Sequence, residues 1–457
     1  MSMVFPADRT KTTAALHANQ LFTPLEGGLS TDQRLDPYWD RMWVSGSIAS
    51  WTNYDGLART SNVGVTFLPK AYQISEEVAW AQVMNNRTMQ ETLRFLAVLT
   101  SWRTLSGEQI EAMSGCRGAA NPRSKLISAL FRLGIIEIGY ATTNAFITKS
   151  GLDRTVLYRI GNEKAIEPLL ADLTYTEWVS LTGGQGWERG GQFDRHNVLA
   201  TEFGLRCAEF IDLSGVLGEK FTTTDLLAGS GIGRPTLEDR RSADLCLVRP
   251  DGLRIAVEIT ASAGESFTRK VERWAELIND RPLNDSGFMM LFVIAAPEGR
   301  ADALRAEVYK KIASILRRYP GTARESVAAR FAVASWTEFF PGRHQISERF
   351  LDLVVDTPTG DLFAGDQSTW EEVSLTDASA IPFEPTDFGL NAILDNIHLL
   401  WQSPTWTRMP ELAPDLVPTM LAQSGETTIP VPPFQKSDRA FKHTHLPSAP
   451  TLMTSYM

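Results

Sequence analysis

Between residues 243 and 335, short apolar segments alternate with longer amphipathic ones, and this order limits the possible folds more than any other feature. The segments ADLCLVRP, LRIAVEIT, GFMMLFVIAAP and RFAVASWTEF have the length and β-branched content of strands. The stretches SFTRKVERWAELIND and ADALRAEVYKKIASILRRY lie between them and have the spacing of helices. Two of the strands are apolar almost throughout, which is typical of a sheet covered on both faces. The segment predicts a mixed α/β fold.

A second pattern lies upstream, between residues 88 and 160. Three predicted helices are TMQETLRFLAVLTSW, GEQIEAMSG behind the N-cap Ser106, and RSKLISALFRLG ending at Gly134. The apolar stretches IIEIGY and AFIT follow and predict a hairpin around residues 141–144. Three helices followed by a hairpin predict a winged helix-turn-helix over residues 87–162.

The remaining segments are less regular. Residues 1–86 lack sustained periodicity and predict an irregular N-terminal extension, while residues 163–194 contain a glycine-rich run and predict a linker. Residues 352–457 hold 12 of the 24 prolines, so a long regular element is expected there only over residues 386–402. Both extensions are candidate docking segments for protein partners.

Charge narrows the way in which this chain could contact DNA. The net charge of −10 disfavours nonspecific coating of nucleic acid, since long-range attraction to phosphate needs a basic surface. Residues 87–160 nevertheless carry ten basic side chains against five acidic ones. We expect DNA contacts from cations in or just before the recognition helix and in the wing: Arg117, Arg123, Lys125, Arg132, Lys149 and Arg154. The alternative for this unit is a protein-docking module.

The chain also lacks the marks of a membrane or secreted protein. No run approaches the roughly 18 apolar residues of a membrane span, and the first residues lack the apolar centre of a signal peptide. We therefore expect a cytoplasmic protein with no membrane partner. Cys116, Cys207 and Cys246 have neither disulfide nor zinc-site spacing and are expected to be buried.

The hairpin at residues 243–260 is where the sequence best indicates chemistry. Asp244 opens its first strand and Glu258 comes near the end of the second, so a tight turn near Asp251 places the two carboxylates opposite each other. Paired carboxylates suit Mg²⁺, which takes oxygen ligands and keeps several waters. The hairpin predicts a magnesium site formed by Asp244 and Glu258.

The pattern Ala243-Asp244 followed by Glu258-Ile259-Thr260 resembles the signature of the PD-(D/E)XK nuclease superfamily. The resemblance implies a restriction-endonuclease-like αβββαβ domain over residues 195–351. Thr260 occupies the position where that family has its lysine. Lys270 on the following helix is the candidate replacement cation, and Glu202 on the preceding helix matches the position of an additional acidic residue in many members.

The winged helix, the Asp244 to Thr260 hairpin and the helix with Thr-Arg-Lys together resemble the replication-relaxation family of plasmid, phage and conjugative-element proteins. This resemblance covers roughly residues 88–335. It implies a DNA-binding protein with Mg²⁺-dependent nicking or cleavage in replication or DNA transfer, in which Asp244, Glu258, Lys270 and Glu202 are the catalytic residues. Two alternatives stay open: a DNA-binding or assembly protein that retains the fold without catalysis, and an assembly component whose extensions wrap partner chains.

Overall fold

The computed structural model describes residues 15–17, 29–40, 42–43, 48–142, 155–162, 165–166, 194–213, 215–219, 222, 242–279, 281–296, 299–322, 325–359 and 369–384. Their strands are β1 Ala15–His17, β2 Ile48–Thr52, β3 Thr104–Ser106, β4 Ile136–Thr142, β5 Val156–Ile160, β6 Gly215–Gly218, β7 Leu245–Val248, β8 Arg254–Thr260, β9 Phe288–Ile294, β10 Phe331–Ser335, β11 Gln345–Ser347, β12 Val354–Thr359 and β13 Thr369–Ser374. Their α-helices are α1 Tyr54–Asn62, α2 Glu76–Val83, α3 Asn86–Trp102, α4 Gly107–Ser114, α5 Lys125–Arg132, α6 Asp194–Phe210, α7 Glu265–Asn279, α8 Leu283–Ser286, α9 Ala301–Leu316, α10 Trp336–Phe339 and α11 Glu348–Leu351. The mixed α/β class predicted from the sequence is confirmed.

The larger sheet has seven strands in the order β13-β12-β10-β9-β8-β7-β6. Strands β8, β9 and β10 run parallel, and the neighbours on both sides are antiparallel. Side chains alternate between the two faces of a strand. In β8 this alternation directs Ile255 and Val257 into the core shared with α6, and Ala256 into the core shared with α7 and α9. Glu258 follows Ala256 in this alternation and faces α7.

The smaller sheet has four strands in the order β2-β4-β5-β3 and packs against α3, α4 and α5. Local signals set the helix ends as expected: Ser106 and Ser124 cap α4 and α5, and Gly115 ends α4 at a positive φ of 67°. The sequence predicts that IIEIGY pairs with AFIT, and this is wrong, because β4 pairs with β5, Val156–Ile160. The intervening residues 143–154 lie outside the described structure. Residues 104–106 form β3, whereas the sequence predicts a break there.

Helix α6 joins the two sheets, because it contacts β3 and α4 on one side and β6 and β7 on the other. One hydrophobic core runs from Phe95 and Leu99 of α3 through Phe203 of α6 to Val257 of β8. The end of α3 closely approaches Gly204 of α6 and Gly218 of β6. A Cβ added at Gly204 would lie 2.7 Å from Trp102 Cη2, and one added at Gly218 would lie 2.8 Å from the Ser101 carbonyl oxygen. The two units therefore share a core instead of being joined only by a linker.

Two expectations for the extensions need adjustment. The described N-terminal residues pack onto the larger α/β unit: Tyr38 Oη donates to the Ala296 carbonyl at 2.8 Å, and Trp39 Nε1 donates to Phe340 O at 3.0 Å. Strands β12 and β13 lengthen the larger sheet within the proline-rich segment, where no strand was expected.

The helix expected over residues 386–402 and most of the predicted linker lie outside the described residues. No helix of the described part is long and apolar enough to cross a bilayer.

The close approach at Gly218 generates a stability prediction. Alanine should otherwise be favourable in a strand, since glycine weakens strand interiors. Here the new methyl group would meet a backbone oxygen, so we expect Gly218→Ala to lower the free energy of unfolding by about 1–3 kcal/mol. Gly264→Ala is the matched control, because its Cβ meets no atom within 4 Å, and it should change stability by less than about 0.5 kcal/mol. Urea unfolding followed by tryptophan fluorescence measures both, and equal values would contradict the close-packing argument.

Candidate active site

The β7–β8 hairpin brings Asp244 and Glu258 together as the sequence predicts. Its register pairs Leu245 with Val257, and Asp244 N–H donates to Val257 O at 3.0 Å, so Asp244 and Glu258 occupy the next opposed positions. The turn closes through Gly252, which adopts a positive φ of 90° that favours glycine. The register prediction is confirmed.

Glu258 is fully buried and both of its carboxylate oxygens are engaged by helix α7. Lys270 Nζ donates to Oε2 at 2.5 Å, and Trp274 Nε1 donates to Oε1 at 2.9 Å. Lys270 and Trp274 are four residues apart and therefore lie on one face of the helix. Thr260 occupies the strand position where a lysine was expected, and the ammonium of Lys270 reaches the carboxylate from α7 instead.

Asp244 is held from two directions at the mouth of the same site. The Ile259 amide donates to its Oδ2 at 2.7 Å, and His196 Nε2 of α6 lies 2.8 Å from the same oxygen. The other oxygen, Oδ1, has no hydrogen-bond partner among the residues that the structure describes. Asp244 thus presents one carboxylate oxygen to the cleft.

Burial and neighbouring charges drive the two carboxyls apart in acidity. Burial opposes ionisation of Asp244, but the charges of His196 and Lys270, with hydrogen bonds from His196 and the Ile259 amide, lower its pKa to about 2. Burial raises the pKa of Glu258, the Asp244 carboxylate adds to this effect, and Lys270 opposes it. Burial opposes protonation of His196 and Lys270, yet the adjacent carboxylates raise the pKa of each. The site combines an ionised aspartate with a buried glutamate whose negative charge is stabilised by Lys270.

Asp244 lines a cleft of about 650 Å³ between α6, α7 and the end of β8. Glu258 is fully buried and contacts Lys270, which also lines the cleft. Its charged lining comprises the cations Arg103, Arg195, Lys270 and Arg273, the carboxylates Glu219 and Asp244, and His196. Trp43 forms part of one wall and donates its indole N–H to Ala295 O at 2.8 Å. The lining is therefore locally basic in a chain whose net charge is −10.

The side chains at the cleft could supply only part of the ligand sphere of Mg²⁺. Among the described residues, no three His, Cys, Asp or Glu side chains converge as a metal cage. Asp244 Oδ1 has no hydrogen-bond partner among the described residues, whereas both oxygens of the buried Glu258 accept hydrogen bonds, from Lys270 and Trp274. Mg²⁺ typically takes one or two protein carboxylates and fills its sphere with water and phosphate oxygens. Asp244 could supply one such ligand, and Glu258 could supply a second only if Lys270 left its carboxylate.

Glu202 is not brought to this cleft. Its Oε1 accepts from Arg34 Nη2 at 3.0 Å and from Arg206 Nε at 3.1 Å, and Gln109 Nε2 donates to its Oε2 at 3.3 Å. Glu202, Arg34 and Arg206 are all fully buried. The prediction that Glu202 joins Asp244 and Glu258 is corrected: a buried glutamate needs paired cations, and α6 supplies this one to the interior.

The predicted DNA-binding cations separate into three groups. Arg117, Arg123 and Lys125 are exposed around the beginning of α5. Arg132 is half-buried, donates to Ile74 O at 3.0 Å and lies 4.4 Å above the Tyr54 ring, so it is not part of that exposed group. Lys149 and Arg154 lie outside the described residues.

Sequence reasoning missed His196, Arg195 and Trp43. The spacing of six residues places His196 and Glu202 on different sides of α6, and the sequence offers no other partner for His196 nearby. The position of His196 in the fold indicates its role better. His196 lies in the first turn of α6, and this end of the helix faces the strand end that carries Asp244. Trp43 gave no signal, since its partner Ala295 O is 252 residues away.

Comparisons with protein-family models, with curated proteins and with solved structures found no match for this chain. The case for function therefore depends on the geometry of the site.

The His196–Asp244 pair should make stability depend on pH. The pKa of His196 is raised from 6.5, so its contribution is present below pH 6.5 and is lost as the pH rises through the folded-state value. The pKa of Asp244 falls from 3.8 to about 2, so its contribution is present above pH 3.8 and is lost as the pH falls towards 2. We expect His196→Gln to cost more stability at about pH 6 than at about pH 9 in urea unfolding experiments.

His344 has a pKa shifted in the opposite direction and serves as the comparison for the His196→Gln experiment. Burial and then Arg343 lower its pKa, so the folded chain gains stability from His344 as the pH rises through 6.5. The loss caused by His344→Gln should therefore grow with pH while that of His196→Gln shrinks. Parallel pH profiles for the two variants would contradict the assigned ion pair.

Proposed function

We propose that this protein is a DNA-binding, Mg²⁺-dependent endonuclease of the PD-(D/E)XK type that nicks or cleaves DNA. The observation that carries the proposal is the contact of Lys270 Nζ with Glu258 Oε2, beside Asp244. A strand-borne lysine is missing at Thr260, and this contact supplies an ammonium group at the carboxylate pair from the next helix. The sequence resemblance suggests a plasmid, phage or conjugative element as the setting.

The order of elements supports a restriction-endonuclease-like domain. Helix α6 is followed by the antiparallel strands β6, β7 and β8, then by helix α7, and then by β9 parallel to β8. This is the αβββαβ order that the resemblance implies. Asp244 and Glu258 lie at one end of β7 and β8, and a phosphodiester entering the cleft would meet Asp244 and Lys270.

The roles of the residues follow from their surroundings. Asp244 is ionised at neutral pH and has an oxygen available for Mg²⁺, and Glu258 is the second ligand. Mg²⁺ bound there would polarise the scissile phosphate and lower the pKa of an attacking water. Hydrolysis there would join the oxygen of a water molecule to phosphorus, break one phosphorus–oxygen ester bond and pass one proton of the water to the leaving oxygen, giving a phosphomonoester and a hydroxyl group. Lys270 places positive charge beside the phosphate oxygens, where negative charge increases in the transition state.

The smaller unit supports the DNA-binding half of the proposal. The order α3, β3, α4, α5, β4, β5 is that of a winged helix, and α5 occupies the place of the recognition helix. Arg117, Arg123 and Lys125 are exposed near its beginning, where residues can reach base edges or phosphates.

A second candidate is a nuclease fold that binds DNA without cleaving it. Lys270 and Trp274 satisfy both oxygens of Glu258, so the buried carboxylate is stable without a metal. In that case Lys270 is a purely structural partner of Glu258. The two candidates differ in whether Mg²⁺ can take the place of Lys270 at Glu258.

We expect wild-type protein with Mg²⁺ to nick supercoiled DNA, and Asp244→Asn and Glu258→Gln to abolish nicking because each removes a metal ligand. Lys270→Met should reduce the rate about 100-fold to 1,000-fold, the range for removal of one group that stabilises transition-state charge. Agarose gels over a time course measure all four proteins.

Arg269→Gln is the matched control for Lys270→Met. Arg269 is the adjacent cation on α7, its side chain is 61% exposed, and it pairs only loosely with Glu265 at 3.9 Å. The control should nick at the wild-type rate. Wild-type protein that binds DNA but leaves it intact with Mg²⁺ and with Mn²⁺ would favour the second candidate.

Duplex binding gives an independent prediction. The double variant Arg123→Gln/Lys125→Gln should bind duplex DNA more weakly, and the slope of log affinity against log salt should fall by about 0.9 for each phosphate that the protein no longer neutralises. Fluorescence anisotropy in Ca²⁺ at several salt concentrations measures the slope. Arg317→Gln, an exposed arginine at the end of α9, serves as control and should leave the slope unchanged. An unchanged slope in the double variant would show that α5 does not contact the DNA backbone.

A further inference from the structure

The dimensions of the cleft bear on the form of DNA that reaches the carboxylates. Glu258 is fully buried, and Asp244 is 15% exposed. A volume of about 650 Å³ is in the size class that encloses one small ligand. A cleft of this size is suited to part of one strand, whereas specific duplex interfaces extend over roughly 1,000–2,500 Å² of protein surface.

The walls of the cleft combine cations with an aromatic ring. Arg195 of α6 and Arg273 of α7 both line it, together with Asp244. Trp43 adjoins Arg195, whose guanidinium carbon lies 5.8 Å from the indole centroid. The hydrogen bond from its indole to Ala295 O fixes the orientation of the ring. A fixed aromatic ring among arginines is the combination that holds single strands, because bases stack on the ring while cations contact the backbone.

We propose that the cleft binds single-stranded DNA, with Trp43 stacking against a base and Arg195 and Arg273 contacting the flanking phosphates. This inference rests on the proposed function in that DNA is the ligand, and it adds that the strand presented to Asp244 and Glu258 is unpaired. Duplex DNA is left to the exposed cations at the start of α5. The natural substrate is then DNA in which a duplex adjoins an unpaired strand.

The test measures binding without cleavage. A fluorescein-labelled oligothymidylate of about 12 nucleotides, within the usual size range of single-strand sites, is titrated in Ca²⁺ and followed by anisotropy. The Arg123→Gln/Lys125→Gln background removes two of the three exposed cations around the beginning of α5. Trp43→Leu should weaken binding about fivefold to 100-fold, as expected when one base no longer stacks. Arg273→Gln should lower the salt slope by about 0.7, the value for one phosphate of a single strand.

Two further variants guard against a loss of folding. Trp43→Phe keeps an aromatic face without the indole N–H and should restore most of the affinity that Trp43→Leu removes. Arg317→Gln should bind like the parent protein. The thermal unfolding midpoint of each variant is measured alongside, and weaker binding counts only where the midpoint is maintained.

The outcomes separate this inference from the proposed function. Oligothymidylate binding that is unchanged in both Trp43→Leu and Arg273→Gln overturns the single-strand assignment, even where nicking succeeds. A duplex of the same length that competes as well as the single strand overturns it too. Single-strand binding that depends on Trp43 and Arg273 upholds it, even where no nicking is detected.

Discussion

The buried charges of helix α6 are the constraint on which the rest of the structure depends. Glu202, Arg206 and Glu209 lie in the interior, where an unpaired charge would cost several kilocalories per mole. Their partners come from the N-terminal segment: Arg34 contacts both glutamates, and Asp36 contacts Arg206. Because the segment must dock for these charges to be satisfied, it also brings Trp43 to the wall of the cleft. The ion pairs thereby shape a site in which they take no direct part.

The candidate active site uses burial differently. In the α6 cluster every carboxylate contacts at least one arginine, and hydrogen bonds from Thr31, Gln109 and backbone amides engage the oxygens as well. At the cleft, Asp244 retains one oxygen for an incoming ligand, and Glu258 is neutralised by a lysine that is 31% exposed and can turn towards solvent. Arginine pairs of the first kind are rigid, whereas an ammonium on a flexible stem can exchange partners. This contrast separates the acids that maintain the fold from the two that we propose as metal ligands.

Sequence patterns predict the α/β class, the register of the β7–β8 hairpin and the helix caps at Ser106 and Ser124, because these depend on neighbouring residues. The role of Lys270 is predicted only through the resemblance to the nuclease superfamily, in which a lysine on the following helix can replace the missing strand lysine. Contacts between residues that are far apart in the sequence cannot be predicted in this way. Helical position alone cannot show that Glu202 turns inward towards Arg34, a partner 168 residues away. Strands β12 and β13 escape prediction because a high proline content disfavours a sheet, although Pro358 is accommodated in β12 opposite Trp370.

The packing of Trp102 against Gly204 and Gly218 has a consequence for how the two units could work together. No methyl group fits between them, so α3 cannot slide along α6 without disrupting the shared core. The surface around α5 and the cleft beside α7 are therefore held at a constant separation. Under the proposed function, a constant separation would fix the distance along the DNA: where the surface around α5 bound a duplex, the cleft would meet the strand a set number of nucleotides away. The position of a cut would then be determined by distance along the DNA, without any need for the cleft to distinguish one base from another.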